Sequence, residues 1–447
     1  MDIKSFYTST FFRSLADALI SPFISVFALA LGATQVLIGL ISSLPTLASL
    51  FSQLFWGSLS ESIEKKSMLI ILGGIAWAVM WVPIAMVKDP VQLLFLLTIQ
   101  SLLAAASAPA WTALLIQIMP VYKRMYITGN LNLISSAGAL IGTLLGGLVL
   151  NAFGFVPFLF YAIAFLGVLS RLPFFWQKEP VSYYFNNTNL ASLVKRTFDF
   201  SVIRQDKELI KLITAIAFLN FSVTLAAPFM SVQIVTGLKG TLMDLALISA
   251  LGVISAILFY RPWAAIIENT GKKFVMLACL IPISFIPLVY AIAPNISWPY
   301  IYEIVGTMSW AGFNLAAFAY LANILPKERS SSSVAIYNLF VGLGSAIGPF
   351  VGGIFADLIG LQYLFFLSMI LRLLSGLLLD RLEEKTGFKP KMMFNLEFEP
   401  FGLGYKIENF ISTYTLVVDE ALRESAKALD FKRHLREKKL FRLIKKE

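Results

Sequence analysis

Charge is what this chain has least of. Only 14% of its 447 residues are Asp, Glu, Lys or Arg, while 58% are hydrophobic and the mean hydropathy is +0.78. A water-soluble domain carries about 25% charged residues, so a surface facing water is excluded for most of this chain. Cysteine is nearly absent as well. Cys279 stands alone inside an apolar run, which rules out an internal disulfide framework. Histidine occurs once, at His434 close to the C-terminus, so histidine-based metal or acid–base chemistry is excluded from the apolar part. No nucleophile–base set, metal-ligand cluster or Walker-type phosphate loop is found, and neither an enzyme nor an ATP-driven pump is expected. Asp17 and Arg13 interrupt the first apolar stretch and no small-residue cleavage site follows it, so no cleavable signal peptide is expected.

What the chain has instead is long apolar runs. A bilayer core takes about 20 apolar residues per helix, and that ruler predicts twelve spans in an all-α membrane protein. The first six lie at roughly 10–31, 35–59, 68–87, 91–119, 131–153 and 157–176. The second six lie at roughly 209–235, 245–267, 274–293, 298–325, 334–359 and 361–382. Connections after even-numbered spans hold Lys65, Lys66, Lys123, Arg124, Lys178, Lys195, Arg196, Arg204, Lys207, Lys272, Lys273, Lys327 and Arg329; those after odd-numbered spans hold Lys88 and Lys239 alone. Positive residues resist translocation, so both termini are expected in the cytoplasm of a plasma-membrane protein. The net charge of +10 then reads as contact with anionic headgroups rather than nucleic acid.

The chain also resembles itself. Pro22-Phe23-Ile24-Ser25-Val26 returns as Pro228-Phe229-Met230-Ser231-Val232. At the same offset Pro120 matches Pro326 and Asn132 matches Asn338, while Gly138, Gly142, Gly146 and Gly147 match Gly344, Gly348, Gly352 and Gly353. One shared register across five spans implies two parallel six-helix halves, with a substrate site expected between them near the midplane. The expected organisation is a six-helix bundle at 1–176, a cytoplasmic linker at 177–208, a second bundle at 209–384 and a cytoplasmic basic tail at 385–447.

These features, with two loop motifs, resemble the major facilitator superfamily, nearest in style to its drug:proton antiporters. In that family the loop after the second helix carries a glycine, an acid and a basic pair. Here Gly57, Glu61, Lys65 and Lys66 stand there, with Ser62 and Glu64 departing from the pattern, and Glu268, Gly271, Lys272 and Lys273 form the second copy. A carboxylate and basic pair can latch onto helix termini in one conformation; setting the topology alone is the simpler reading. Gly344, Gly348, Pro349 and Gly352 match the family's glycine- and proline-rich antiporter motif, and Gly138, Gly142 and Gly146 form a partial copy with Thr143 in place of the proline. Such stripes serve as hinges or as close packing surfaces.

Ionisable groups inside spans are expensive and mark function. Asp17, in a helix that lines the cavity in this family, either carries a coupling proton or pairs with Arg13 one turn earlier. Glu303 is a second coupling candidate, and Glu303, Thr307, Trp310 and Asn314 share a helix face. Gln100, Ser107 and Trp111 form a comparable face, while Asn132, Asn338, Asn220 and Thr224 either contact a solute or bond neighbouring helices. Arg171 is expected to snorkel to the interface; Arg372 lies deeper and needs a carboxylate or carbonyl partner. Asp244 and Asp357 read as cap or interface residues. Phe431 to Lys446 reads as a basic amphipathic helix for the inner leaflet or a partner protein. The expected function is secondary transport by a monomer with no cofactor beyond a proton gradient: efflux of hydrophobic or cationic compounds, with sugar or organic-acid uptake, or a non-transporting receptor, as alternatives.

Overall fold

A computed structural model describes residues 3–62, 65–119, 124–175, 206–325 and 330–383. The chain divides into two units, Met1–Phe388 and Lys389–Glu447, and all the described residues belong to the first. The linker from 177 to 205 and the basic tail lie outside them. Where hydrocarbon surrounds a chain, each backbone N–H and C=O needs a partner within the segment, and the α-helix provides it. Among the described residues twelve helical spans are long and apolar enough to cross a membrane. In the first half these are α1 (Ile3–Ala30), α2 (Gln35–Gly57), α3 (Lys66–Ile84), α4 (Pro90–Ile118), α5 (Ile127–Phe153) and α6 (Pro157–Phe175). In the second they are α7 (Lys207–Thr236), α8 (Leu242–Glu268), α9 (Lys272–Ile292), α10 (Ser297–Ile324), α11 (Ser333–Ile359) and α12 (Leu361–Asp380). The twelve expected spans are present. We call the end bearing the α1–α2, α3–α4 and other odd connections the odd end, and the opposite one the even end.

Several spans that hydropathy reads as continuous are broken. Helix stops at Ala18 in α1, and a 3₁₀ turn over Ser21–Phe23 precedes its resumption at Ile24. In α7 it stops at Thr224 and resumes at Ala227. Both breaks fall just before the repeated prolines, Pro22 and Pro228, which lack an N–H and crowd the preceding turn. The repeat is thus a repeat of shape. Pro83 and Pro109 follow similar breaks in α3 and α4.

The glycine stripes explain how each half is assembled. Gly138, Gly142 and Gly146 of α5 rest against the backbone carbonyls of Phe11, Leu15 and Leu19 in α1. Gly344 and Gly352 of α11 rest on the carbonyls of Ala217 and Leu225 in α7, and Gly348 lies between them against Phe221 and Thr224. A side chain at any of these positions would overlap the opposing helix. Small residues gain van der Waals contact where lipid offers no hydrophobic push. The Ser14 and Ser135 hydroxyls, 2.8 Å apart, add a polar tie between α1 and α5.

Arg372 of α12, only 1% exposed, has the carbonyl partner it needs. Its Nη1 donates to the Ile283 carbonyl at 2.8 Å and its Nη2 to that of Val223 at 3.4 Å. Pro287, four residues after Ile283, supplies no N–H to that carbonyl, so the arginine replaces a missing helix bond. The Arg372→Met variant leaves this acceptor unpaired, which costs about 1–3 kcal/mol. Its thermal unfolding in detergent is expected several degrees below that of the parent; equal midpoints would show that the carbonyl does not need the guanidinium.

Candidate functional site

The halves meet chiefly along two helix pairs, α2 with α11 and α5 with α8, with smaller contacts of α7 on α1 and α2 and of α8 on α1. Close approach again depends on glycine. Gly39 of α2 faces the Pro349 carbonyl, Gly353 of α11 faces the backbone of Gln35 and Val36, and Gly147 of α5 faces Ala246 of α8. The Ser43 hydroxyl donates to the Ala346 carbonyl. At the odd end the Asp357 carboxylate of α11 accepts from the N–H of Gln35 at 3.2 Å and of Val36 at 3.1 Å. These amides open α2, where no preceding turn offers them a carbonyl and the helix dipole is positive. One half therefore caps a helix of the other. Of these contacts, Leu50 against Gly342 reaches furthest from the odd end along α2.

A second feature lies inside the first half. Between α1, α3, α4 and α6 is a cavity of about 330 Å³, lined among others by Ser9, Arg13, Trp77, Ser107, Trp111 and Arg171. Arg171 does not snorkel; it is only 6% exposed. Gly74 of α3 makes this possible, because the guanidinium occupies the space that a Cβ there would fill. Its Nη1 donates to the Ser9 hydroxyl at 3.4 Å, and its buried Nε finds no hydrogen-bond partner among the described residues. Arg13 stands with its guanidinium carbon 3.2 Å from the centre of the Trp77 ring, a cation–π contact. Asp17 lies 3.9 Å from Arg13 with half its side chain exposed. That separation is the outer limit of an ion pair, so Asp17 is near Arg13 and only loosely held by it.

The remaining sequence candidates are distributed as follows. Gln100 is buried and donates to the Trp77 carbonyl at 2.8 Å, close to the break in α3. Ser107 donates to the Ile70 carbonyl at 3.3 Å and lines the cavity with Trp111. Asn220 donates to Ile216 and Thr224 to Asn220, both within α7, while Ser345 reaches the Asn220 amide oxygen at 3.4 Å. Asn132 and Asn338 are exposed on α5 and α11, as is Asn314 on α10. Thr307 bonds the Glu303 carboxylate at 3.1 Å, and both face Gly252 of α8; Trp310 packs edge-on to Phe313. The structure thus gathers Ser107 and Trp111 around the arginine cavity of the first half, and Glu303 with Thr307 in the second.

In the loop motifs, Gly57 has Pro109 of α4 as its neighbour, and Lys65 precedes the first turn of α3, which opens with Lys66. The Glu61 side chain lies outside the described residues. In the second copy Gly271 adopts φ of 96°, a left-handed value that favours glycine, and so turns α8 directly into α9. Lys273 pairs with Asp380 at the end of α12 at 2.9 Å, while Glu268 is exposed and Lys272 begins α9. Sequence reasoning passed over Gly39, Ser43, Gly74 and the capping role of Asp357 across the halves. Gly39 and Ser43, one turn apart, were the available signal.

Twelve spans in two halves with mirrored breaks define a polytopic membrane protein of the carrier type. The sequence pattern of the Major Facilitator Superfamily matches residues 6–315 and 262–405. The chain belongs to that superfamily and is an integral, multi-pass membrane protein. Among relatives, it is 30% identical over 149 residues to the multi-drug resistance efflux pump PmrA of Streptococcus pneumoniae, a match over 33% of this chain and 37% of PmrA. It is 29% identical over 180 residues to the multidrug resistance protein MdtG of Salmonella paratyphi B, over 38% of this chain and 44% of MdtG. These matches span less than half of either relative. An uncharacterized transporter of the same type from Methanocaldococcus jannaschii is 22% identical over 387 residues, 83% of this chain and 95% of that one. The nucleoside transporter NupG shares the fold with a TM-score of 0.70 at 14% identity, covering 89% of this chain and 100% of its own. A bacterial homologue of the lysosomal transporter Spinster, inward-facing and occupied, scores 0.68 at 12% identity, covering 87% and 98%. The named relatives are pumps and transporters, not enzymes.

The cap across the halves has a measurable consequence. A carboxylate at a helix N-terminus contributes about 0.3–1 kcal/mol, so Asp357→Ala is expected to open the odd end up to about five-fold more often. Maleimide labelling of a cysteine at Val36, in a Cys279→Ser background, reads this. Equal labelling rates with and without Asp357 would show that the cap does not hold the halves together.

Proposed function

We propose that the protein is a secondary transporter that works by alternating access and exports hydrophobic or cationic compounds in exchange for protons. One observation carries the reading: the halves are joined at the odd end by α2–α11 and α5–α8 contacts, while glycine stripes make α1–α5 and α7–α11 rigid pairs inside each half. Rigid halves that part at one end and close at the other expose a central site alternately. With both termini in the cytoplasm, as the loop charges favour, the closed end faces outward and a substrate loads from inside. Efflux pumps among the matched relatives support that direction.

Asp17 suits proton coupling because it is half exposed and only loosely paired with Arg13; Glu303 is the corresponding candidate in the second half. The glycine and Pro349 stripes transmit the motion, and the Lys273–Asp380 pair at the even end is the latch-like contact of the loop motif. The protein acts as a monomer with the proton gradient as its energy source and the plasma membrane as its location. Uptake of organic acids is the second reading, favoured by the two arginines that line the cavity of the first half.

Proteoliposomes with an imposed pH gradient and ethidium as the transported probe test the first reading. The parent is expected to move ethidium against its gradient, and Asp17→Asn to lose gradient-driven flux by about tenfold or more, the scale of one essential protonation step, while counterflow persists. Undiminished proton-driven flux in Asp17→Asn removes Asp17 from coupling. Ethidium binding without flux in the parent would favour the receptor alternative.

A further inference from the structure

We infer that the cavity within the first half is a binding site for a compact aromatic monoanion, its carboxylate held by Arg171 and Arg13. The inference concerns binding alone and stands whichever way, or whether, the protein pumps.

Two deeply buried arginines among the described residues show why. Arg372 places both Nη atoms on backbone carbonyls and leaves only its Nε without a partner among the described residues. Arg171, almost as buried, has one long bond to a hydroxyl, leaves its Nε equally without a partner, and lines a cavity. Removing a cation from solvent without a counter-charge is expensive, yet α3 carries glycine at position 74 and so makes room for this one. The neighbouring cation does not relieve it. Arg13 faces the same cavity, spends its flat face on Trp77, and leaves its Nη1 buried without a hydrogen-bond partner among the described residues.

Charge balance sets the ligand's charge. None of the residues lining the cavity is acidic. From α1 the facing charged groups are Arg13 and, beside it, Asp17; α6 contributes Arg171; α3 and α4 contribute none to the lining. Two cations against one half-exposed carboxylate leave an excess of one positive charge, which a monoanion neutralises. Guanidinium groups match a carboxylate in shape as well as sign, through paired N–H donors. Ser9 and Ser107 add hydroxyls beside them. The indole of Trp111, braced by Phe6 at 4.7 Å and Phe174 at 5.6 Å between ring centres, offers a fixed apolar wall. About 330 Å³ suits a one- or two-ring acid.

Asp17 gives the inference a signature that mere structural support would not produce. Its negative charge opposes an anion, so neutralising Asp17 must tighten anion binding.

Calorimetric titration of the full chain in phosphatidylcholine nanodiscs tests this with 2-naphthoate as the probe and 2-naphthamide as its neutral counterpart. The acid is expected to bind saturably and at least about tenfold more tightly than the amide, the scale of one charge-assisted hydrogen bond. Arg171→Gln is expected to lose that preference, Arg171→Lys to retain part of it, and Asp17→Asn to bind the acid several-fold more tightly. If Arg171→Gln does not fold, the acid–amide comparison and Asp17→Asn decide. Equal affinity for acid and amide, an unchanged acid affinity in folded Arg171→Gln, or no tightening in Asp17→Asn each overturns the inference. Loss of naphthoate binding in phosphatidylglycerol nanodiscs would overturn it in favour of a lipid headgroup as occupant.

Discussion

Inside a bilayer, helices are not driven together by the hydrophobic effect, because lipid tails are as apolar as leucine; they associate where their surfaces fit and polar groups find partners. In this protein the fit comes down to where a side chain is missing. Glycines of α5 let the backbone of α1 descend onto them, glycines of α11 do the same for α7, and Gly39 and Gly353 let α2 and α11 cross the boundary between halves. The first two contacts make each half a body. The third makes the two bodies meet, from the odd end as far along α2 as Leu50. Alternating access depends on that difference between contact within a half and contact across halves.

Polar groups fill in what the glycine contacts leave. Where Pro287 offers the Ile283 carbonyl no N–H, the chain answers with the side chain of Arg372, and beside the break in α3 Gln100 donates to the Trp77 carbonyl. Asp357 does the reverse and supplies an acceptor to amides that open α2. These bonds tie separate elements together, and none of them is an ion pair. Arg171 departs from this pattern, with a single hydroxyl where Arg372 reaches two carbonyls, and for that reason the first half differs chemically from its repeat.

Much of the architecture is legible in the sequence because the bilayer imposes a length and an offset imposes a register. The twelve spans follow from runs of apolar residues, and the two halves from Pro22 and Pro228 or Asn132 and Asn338 recurring in step. The breaks beside those prolines are not visible to a hydropathy window, which counts apolar side chains and ignores a missing N–H. The glycine stripes can be read, but their partners cannot, since a backbone carbonyl such as that of Leu19 leaves no mark on residue type. Arg372 was recognisable as needing a partner, and the partner proved to be such a carbonyl. Asp357 reads as a cap, yet its amides lie 322 residues away. The cavity escaped notice because Arg171 looks like an interface residue until Gly74, on another helix, is seen to receive it.

Alternating access requires two rigid halves to rock about their contacts, opening one end as the other closes. Pulsed dipolar distances between spin labels test it directly: one pair at the odd end, on exposed Phe153 and Thr241, and one toward the even end, on exposed Leu133 and Leu258. Across a pH change or on adding a transported compound, the Phe153–Thr241 distance should lengthen as the Leu133–Leu258 distance shortens. Distances that stay fixed, or that change together in the same direction, would contradict alternating access in this protein.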